Sequence, residues 1–234
     1  MKVLALETST LVGGAALIID GKVVAEETSL RQKTHSENIN PFVDFCLAKA
    51  GLTLEDIDLF AIGQGPGSFT GIRVAANAGK TFSYSYNKPL VTIDSLMLMA
   101  AQAKPQSKKV VSMINAYKNM VYIGIFDVSG EEPTYLKGPE AIPVRNLKDY
   151  IQEDCVVVGD GWDAYQEYFP DELRQKLHRQ TDLPDHPLAK TLGLMAEARG
   201  LKGLTLDWKS FIPLYIRASE AEETKKGILI SPLK

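Results

Sequence analysis

Ile62-Gly63-Gln64-Gly65-Pro66-Gly67-Ser68-Phe69-Thr70-Gly71-Ile72-Arg73 is the stretch on which the reading of this chain turns. The apolar run from Asp58 to Gly63 predicts a strand, Gly65-Pro66-Gly67 a turn, and the small residues from Phe69 to Tyr86 a helix. Gly65 and Gly67 permit positive φ and close approach of another backbone, while Ser68 or Thr70 can cap the helix. Such a junction presents backbone N–H groups at the positive end of a helix dipole, which suits an anion. The same helix carries Gly71, Ala75, Ala78, Gly79 and Phe82 on one narrow stripe. Two glycines in a helix cost roughly 1 kcal/mol each relative to alanine, and close packing is the usual compensation. That packing can be against a partner helix or against the chain's own sheet. The segment therefore reads as a ligand loop, as a docking surface, or as a purely structural turn.

Working outward, Lys2–Leu6, Gly13–Ile19 and Lys22–Glu27 predict three strands, with Asp20-Gly21 as a tight hairpin turn. Ile39, Phe42, Val43, Cys46, Leu47 and Ala50 recur at helical spacing before Gly51. Thr34 and Glu37 have capping-box spacing, which puts Pro41 inside the helix; alternatively Asn40 caps it and Pro41 occupies the first turn. A strand at Leu90–Ile93 and a helix from Asp94 or Ser95 follow the glycine loop and its helix. After the polar Lys104-Pro105-Gln106-Ser107 the pattern begins again. Val110–Ile114, Val121–Phe126 and Pro133–Leu136 form a second strand triplet, with Ser129-Gly130 at a turn. A helix near Val144–Ile151, a strand at Val156–Val158, a Gly159-Asp160-Gly161 turn, helices to about Gly203 and an extended Phe211–Ile216 complete the reading. Two βββ-then-αβ units predict an α/β protein of two lobes, each a mixed sheet flanked by helices. The division is 1–104 and 105–234, with the last segments free to pack back on the first lobe.

The chain has 234 residues, 45% of them hydrophobic and 24% charged, with a net charge of −3. That charge gives no electrostatic drive toward tight direct nucleic-acid binding. The longest apolar runs, Val3–Leu6 and Ala15–Ile19, are strand-sized and exclude a membrane helix. Lys2 leads directly into a strand, not a signal-peptide apolar region, and the two cysteines, Cys46 and Cys155, read as reduced core residues. A cytoplasmic protein is the expectation. His35, His178 and His186 have no spacing for a shared metal-binding helix face, so no metal site and no metallopeptidase are expected. Gly79-Lys80-Thr81 mimics the end of a P-loop, but that motif needs a glycine where Val74 stands. Gly67-Ser68-Phe69 lacks the glycine placement of a nucleophile elbow.

Glu7-Thr8-Ser9-Thr10, His35-Ser36-Glu37, Gly65-Pro66-Gly67-Ser68-Phe69-Thr70-Gly71-Ile72-Arg73 and Tyr215-Ile216-Arg217 together resemble the TsaB family, formerly YeaZ, over Met1 to about Arg217. The resemblance implies the two-lobed actin-like ATPase fold shared by sugar kinases, heat-shock proteins and actin. It implies a non-catalytic role in forming N6-threonylcarbamoyladenosine in tRNA, beside the catalytic paralogue TsaD and the ATPase TsaE. It further implies a homodimer when alone and only indirect contact with tRNA. A partner interface follows on His35, Phe42, Gly71, Ala75, Ala78, Gly79 and Phe82. An anion or nucleotide would meet Glu7, Thr8, Ser9, Gly65, Gly67, Ser68, Thr70 and Arg73. This chain itself then requires no cofactor, with ATP or ADP and Mg²⁺ at the interface of the complex as the alternative. Two positions depart from the family pattern: Glu7 replaces the usual Asp, and Asn115-Ala116-Tyr117-Lys118-Asn119-Met120-Val121-Tyr122 replaces an Asp-Ala-Arg segment followed by Glu-Val-Tyr. A nucleotide-dependent small-molecule kinase or hydrolase of the same fold is the competing reading, since phosphoryl transfer there depends on carboxylates after the first strand of each lobe.

Overall fold

The computed structural model describes residues 1–29, 35–103, 109–180 and 184–218, with backbone only at 35–38. The Thr34–Glu37 capping box and the side chain of His35 lie outside the described residues. Two compact units emerge: Met1–Leu98 with His186–Leu214, and Met99–Asp185 with the described residues from Tyr215 onward. The division falls ahead of the polar stretch at 104–107, and the segment 186–214 belongs with the first unit.

In the first unit, β1 (Lys2–Glu7), β2 (Gly13–Ile19) and β3 (Lys22–Ser29) form an antiparallel meander. Asp20 and Gly21, at φ 48° and 75°, make the predicted turn of the second hairpin, where both central residues need positive φ. The helix α1 (His35–Ala50) leads to β4 (Leu59–Gly63), α2 (Phe69–Tyr86) leads to β5 (Leu90–Ile93), and α3 (Ser95–Gln102) follows. Pro41 lies inside α1, which resolves the alternative left by the sequence. The sheet order is β3-β2-β1-β4-β5, with β4 and β5 parallel to β1 and to each other in sequence. Val3–Leu6 of β1 are all apolar because both faces of the strand are covered. Leu4 and Leu6 join Phe60, Ile62 and the inward residues of α1 and α2 in one cluster. Val3 and Ala5 join Ile18, Leu59 and residues of a later helix in another.

The second unit repeats the plan with β6 (Lys109–Asn115), β7 (Met120–Asp127) and β8 (Thr134–Pro143). Then come α4 (Leu147–Tyr150), β9 (Cys155–Val158), α5 (Asp160–Tyr165), α6 (Asp171–Lys176) and β10 (Leu177–Arg179). Its order, β10-β9-β6-β7-β8, is that of the first sheet read from the other edge. The repetition predicted from the strand triplets is real: two five-stranded mixed sheets share one strand order. The structure differs from the reading where β10 interrupts the run expected to be helical and where β8 runs past the expected Leu136 to Pro143, while Phe211–Ile216 lies outside the named strands. Instead Phe211 is buried in the first core, and Leu206 makes a single antiparallel bridge to Leu90 on the edge strand β5. The helix α7 (Ala189–Leu201) covers the second face of the first sheet through Ala189, Leu192 and Ala196. Both cysteines are free and buried, as expected. Among the described residues, no helix is long and apolar enough to cross a membrane.

Candidate functional site at the strand ends of the first unit

β1 delivers Glu7, Thr8, Ser9 and Thr10 to the point where β4 enters the glycine loop, and all four are buried. The two segments are tied to each other. Ser68 N donates to Ser9 O at 2.6 Å, and Thr8 Oγ1 donates to Gly71 O at 2.6 Å. The hydroxyls of Ser9 and Ser95 are 2.7 Å apart, and Ser95 N donates to Gly65 O at 2.8 Å. Ser68 caps α2 by accepting from Gly71 N at 3.2 Å, the role the sequence left open between Ser68 and Thr70. Gly65, at φ 91°, takes the left-handed conformation that glycine tolerates. The glycines are needed for proximity as well: a Cβ on Gly67 would stand 2.0 Å from Ser9 O, and one on Gly71 1.9 Å from Thr8 O.

Six of the residues singled out for an anion (Glu7, Thr8, Ser9, Gly65, Gly67 and Ser68) are thus brought into one hydrogen-bonded knot. Several of the groups an anion would need are occupied by the chain itself. Thr70 and Arg73 stand outside the knot on the exposed face of α2. The Arg73 guanidinium lies over the Phe69 ring, 4.0 Å from its centroid.

Glu7 is the chemical peculiarity. Its Oε1 accepts from Ser9 N at 2.6 Å, while its Oε2 is buried with no hydrogen-bond partner among the described residues. A Cβ on Gly63 would sit 1.8 Å from that oxygen, so only glycine leaves room for the carboxyl. Burial pushes the Glu7 carboxyl up to about 7, the hydrogen bonds from Ser9 and Thr8 oppose the rise, and the nearby Asp94 charge adds to it. Glu7 therefore holds a proton through much of the neutral range, and a protonated acid is a poor ligand for Mg²⁺.

The second unit answers this arrangement with different chemistry. Asn115, at the end of β6, donates its backbone N–H to Asp160 Oδ1 at 2.9 Å. Its side-chain oxygen accepts from Tyr117 N at 2.8 Å and from the Tyr165 hydroxyl at 3.0 Å. Burial raises the Asp160 carboxyl to about 6, with the Asn115 N–H opposing. Tyr117, Lys118 and Asn119 all have positive φ, at 55°, 52° and 60°, and Arg217 Nη1 donates to Ala116 O at 2.5 Å beside them. The sequence reading took Asp160 only as a turn residue. A lone acid between two glycines carries no signal of burial.

The docking stripe requires correction. Gly71, Ala75 and Gly79 do not form an exposed surface; they face the chain's own sheet. Ala75 is fully buried in the first core, and a Cβ on Gly79 would stand 2.2 Å from Ile62 Cδ1. Phe42 is buried in the same core, and Phe82 and Ala78 pack partly against it, with the Phe82 and Phe60 centroids 5.7 Å apart. The small residues exist because α2 approaches β4 closely. What α1 and α2 leave exposed is the opposite side: Pro41, Asp44, Phe45 and Ala48 on α1, and Arg73, Asn77, Thr81 and Tyr84 on α2. Phe45 is 38% exposed and Tyr84 66%, although the helices carrying them pack side by side on one sheet. Helical spacing alone identifies both faces but not which one turns inward.

Residues 22–225 match the sequence family described as TsaD: tRNA N6-adenosine threonylcarbamoyltransferase. The tRNA threonylcarbamoyladenosine biosynthesis protein TsaB of Haemophilus influenzae is 32% identical, covering 72% of this chain and 75% of its own length. TsaB of Bacillus subtilis is 25% identical and covers 95% of this chain and 96% of itself. Among solved structures, YeaZ from Pseudomonas aeruginosa superposes with a TM-score of 0.80 at 25% identity, over 92% of this chain and 99% of that one.

Proposed function

The chain belongs to the TsaB family of tRNA threonylcarbamoyladenosine biosynthesis proteins, and from that premise we propose that it is a non-catalytic subunit that binds and supports a TsaD-type catalytic paralogue. The observation that carries this reading is the closed knot around Glu7. Kinases and ATPases of this architecture depend on ionised carboxylates to hold Mg²⁺-nucleotide. Here the first-unit carboxyl is buried, partly protonated and packed under Gly63, and the corresponding position of the second unit is the neutral Asn115. Glu7, Thr8 and Ser9 then serve to lock the glycine loop, and the loop sets the start of α2.

The outward faces of α1 and α2 are the proposed contact for the paralogue. Both helices are fastened to the sheet by apolar inner faces, so their outer faces are presented rigidly, and Phe45 and Tyr84 supply the aromatic area that association favours. A second copy of this chain competes for the same surface when the paralogue is absent. A TsaE-type ATPase joins the complex, any nucleotide lies at its interfaces, and tRNA is held mainly by the partner.

The test is a titration of the purified TsaD-type paralogue with wild-type protein, Phe45→Asp and Glu7→Gln, read by calorimetry. Glu7→Gln keeps the shape of the protonated acid and should bind as wild type. Phe45→Asp puts a charge on the proposed contact and should weaken binding at least tenfold while remaining folded, with a melting temperature only a few degrees lower. Equal binding by Phe45→Asp moves the interface elsewhere.

A further inference from the structure

A cavity of about 310 Å³ lies in the second unit, at the end of its sheet opposite to Asn115 and Asp160. Lys109 and Cys155, the first residues of the parallel strands β6 and β9, open onto it. Its apolar lining comes from Ile125, Leu136, Ile151 and Tyr150, and its charged lining from Lys109, Lys137 and Glu153. The volume is at the small end of the range for ligand pockets, roughly 300–1,000 Å³.

The charged groups are unevenly placed, with Glu153 and Asp127 acting on Lys109. Lys109 and Glu153 form an ion pair, which leaves Lys137 as the lining ammonium whose charge Glu153 does not answer. Lys137 Nζ lies 3.7 Å from the centroid of the Tyr150 ring and donates to Tyr150 O at 3.3 Å. Glu140, also on β8, accepts from the Tyr150 hydroxyl at 3.2 Å. The ammonium is therefore held at the cavity by an aromatic face, which positions the charge without neutralising it. Beside it on β8, Leu136 is 52% exposed. An exposed leucine next to a fixed cation gives the site one apolar and one positive element within reach of a small ligand.

We propose that this cavity binds a small organic carboxylate with an apolar or aromatic body, the carboxylate facing Lys137 and the body covering Leu136, Ile125 and Ile151. The site uses none of the residues assigned to the glycine loop or to the outer faces of α1 and α2. Cys155 takes no chemical part: burial raises its thiol above the usual range, so it remains protonated.

The experiment is an amide-resolved NMR titration of the whole protein with 4-phenylbutyrate, and with 4-phenylbutanol as the uncharged control. Saturable shifts at Ile125, Leu136 and Ile151, at least tenfold weaker for the alcohol and for Lys137→Gln, are expected for a millimolar site. Leu136→Ala should weaken the acid and the alcohol alike, and both variants change exposed side chains, so folding is unaffected. Absence of saturation by about 10 mM acid, or equal binding of acid and alcohol, overturns the proposal. So does a Lys137→Gln protein that binds as wild type.

Discussion

The two units share one strand order and almost nothing else. In the first, an acid ends the leading strand, and glycines at 63, 65, 67 and 71 let the neighbouring loop close over it. In the second, the leading strand ends in an amide, and the acid arrives at the first residue of α5, just after β9. The same contact, a backbone N–H donating to a carboxyl, is built from opposite sides, around a buried acid in the first unit and a half-buried one in the second. The flanking helices diverge too: α1 and α2 have 16 and 18 residues, whereas α4, α5 and α6 have four to six. Long helices with one side free are what a docking surface needs, and short ones can do little beyond closing a core. In the proposed function the first unit supplies the platform through its long helices, and the second closes a compact core with short ones.

Substitution at the two glycines that crowd the site in each unit tests this contrast most severely. Gly63→Ala would drive a methyl into the Glu7 carboxyl, 1.8 Å away, and should destabilise by about 3 kcal/mol or more. Gly161→Ala in α5 meets Met113 Cβ at 2.9 Å and should cost about 1 kcal/mol. Thermal melting separates them, because 1 kcal/mol corresponds to roughly 2–4 °C at this size. Equal losses would mean that the knot is no tighter than its counterpart.

The next largest effect concerns pH. Glu7 binds its proton more strongly folded than unfolded, so the native state carries the extra proton between the ordinary pH 4.5 and about 7. Stability should fall as pH rises through that window and level off above it, by a total of about 3 kcal/mol. Asp160 contributes in the same direction between 3.8 and about 6. Denaturant melts of Glu7→Gln should lose the upper part of the slope, above pH 6. A variant that keeps the full slope assigns it to another group.

Smaller still, Asn115→Ala removes acceptors from Tyr117 N and the Tyr165 hydroxyl and should cost about 1–2 kcal/mol. Phe45→Asp should cost about 1 kcal/mol, since at 38% exposure much of the ring is already covered.

Much of the first unit was legible because its strands are covered on both faces and its turns carry their own chemistry. β2, α2 and β5 fall on the residues the pattern indicates. β10 was not legible: Leu177-His178-Arg179 has no alternation of its own and becomes a strand through its register with Cys155, Val156 and Val157. The stripe on α2 is legible in the sequence, which leaves its neighbour open between a partner helix and the chain's own sheet. Small residues report that something comes close, and only the fold shows that it is Ile62. The burial of Glu7 was equally hidden, because an acid after an apolar strand reads as an exposed strand end.

The most direct test of the central claim is mass spectrometry of tRNA nucleosides from cells depleted of this protein and supplied with the Glu7→Gln variant. If the buried acid is structural and the chain acts through a partner, Glu7→Gln restores threonylcarbamoyladenosine to the wild-type level. If modification stays absent although Glu7→Gln is folded and abundant, the carboxylate takes part in chemistry and the non-catalytic account is wrong.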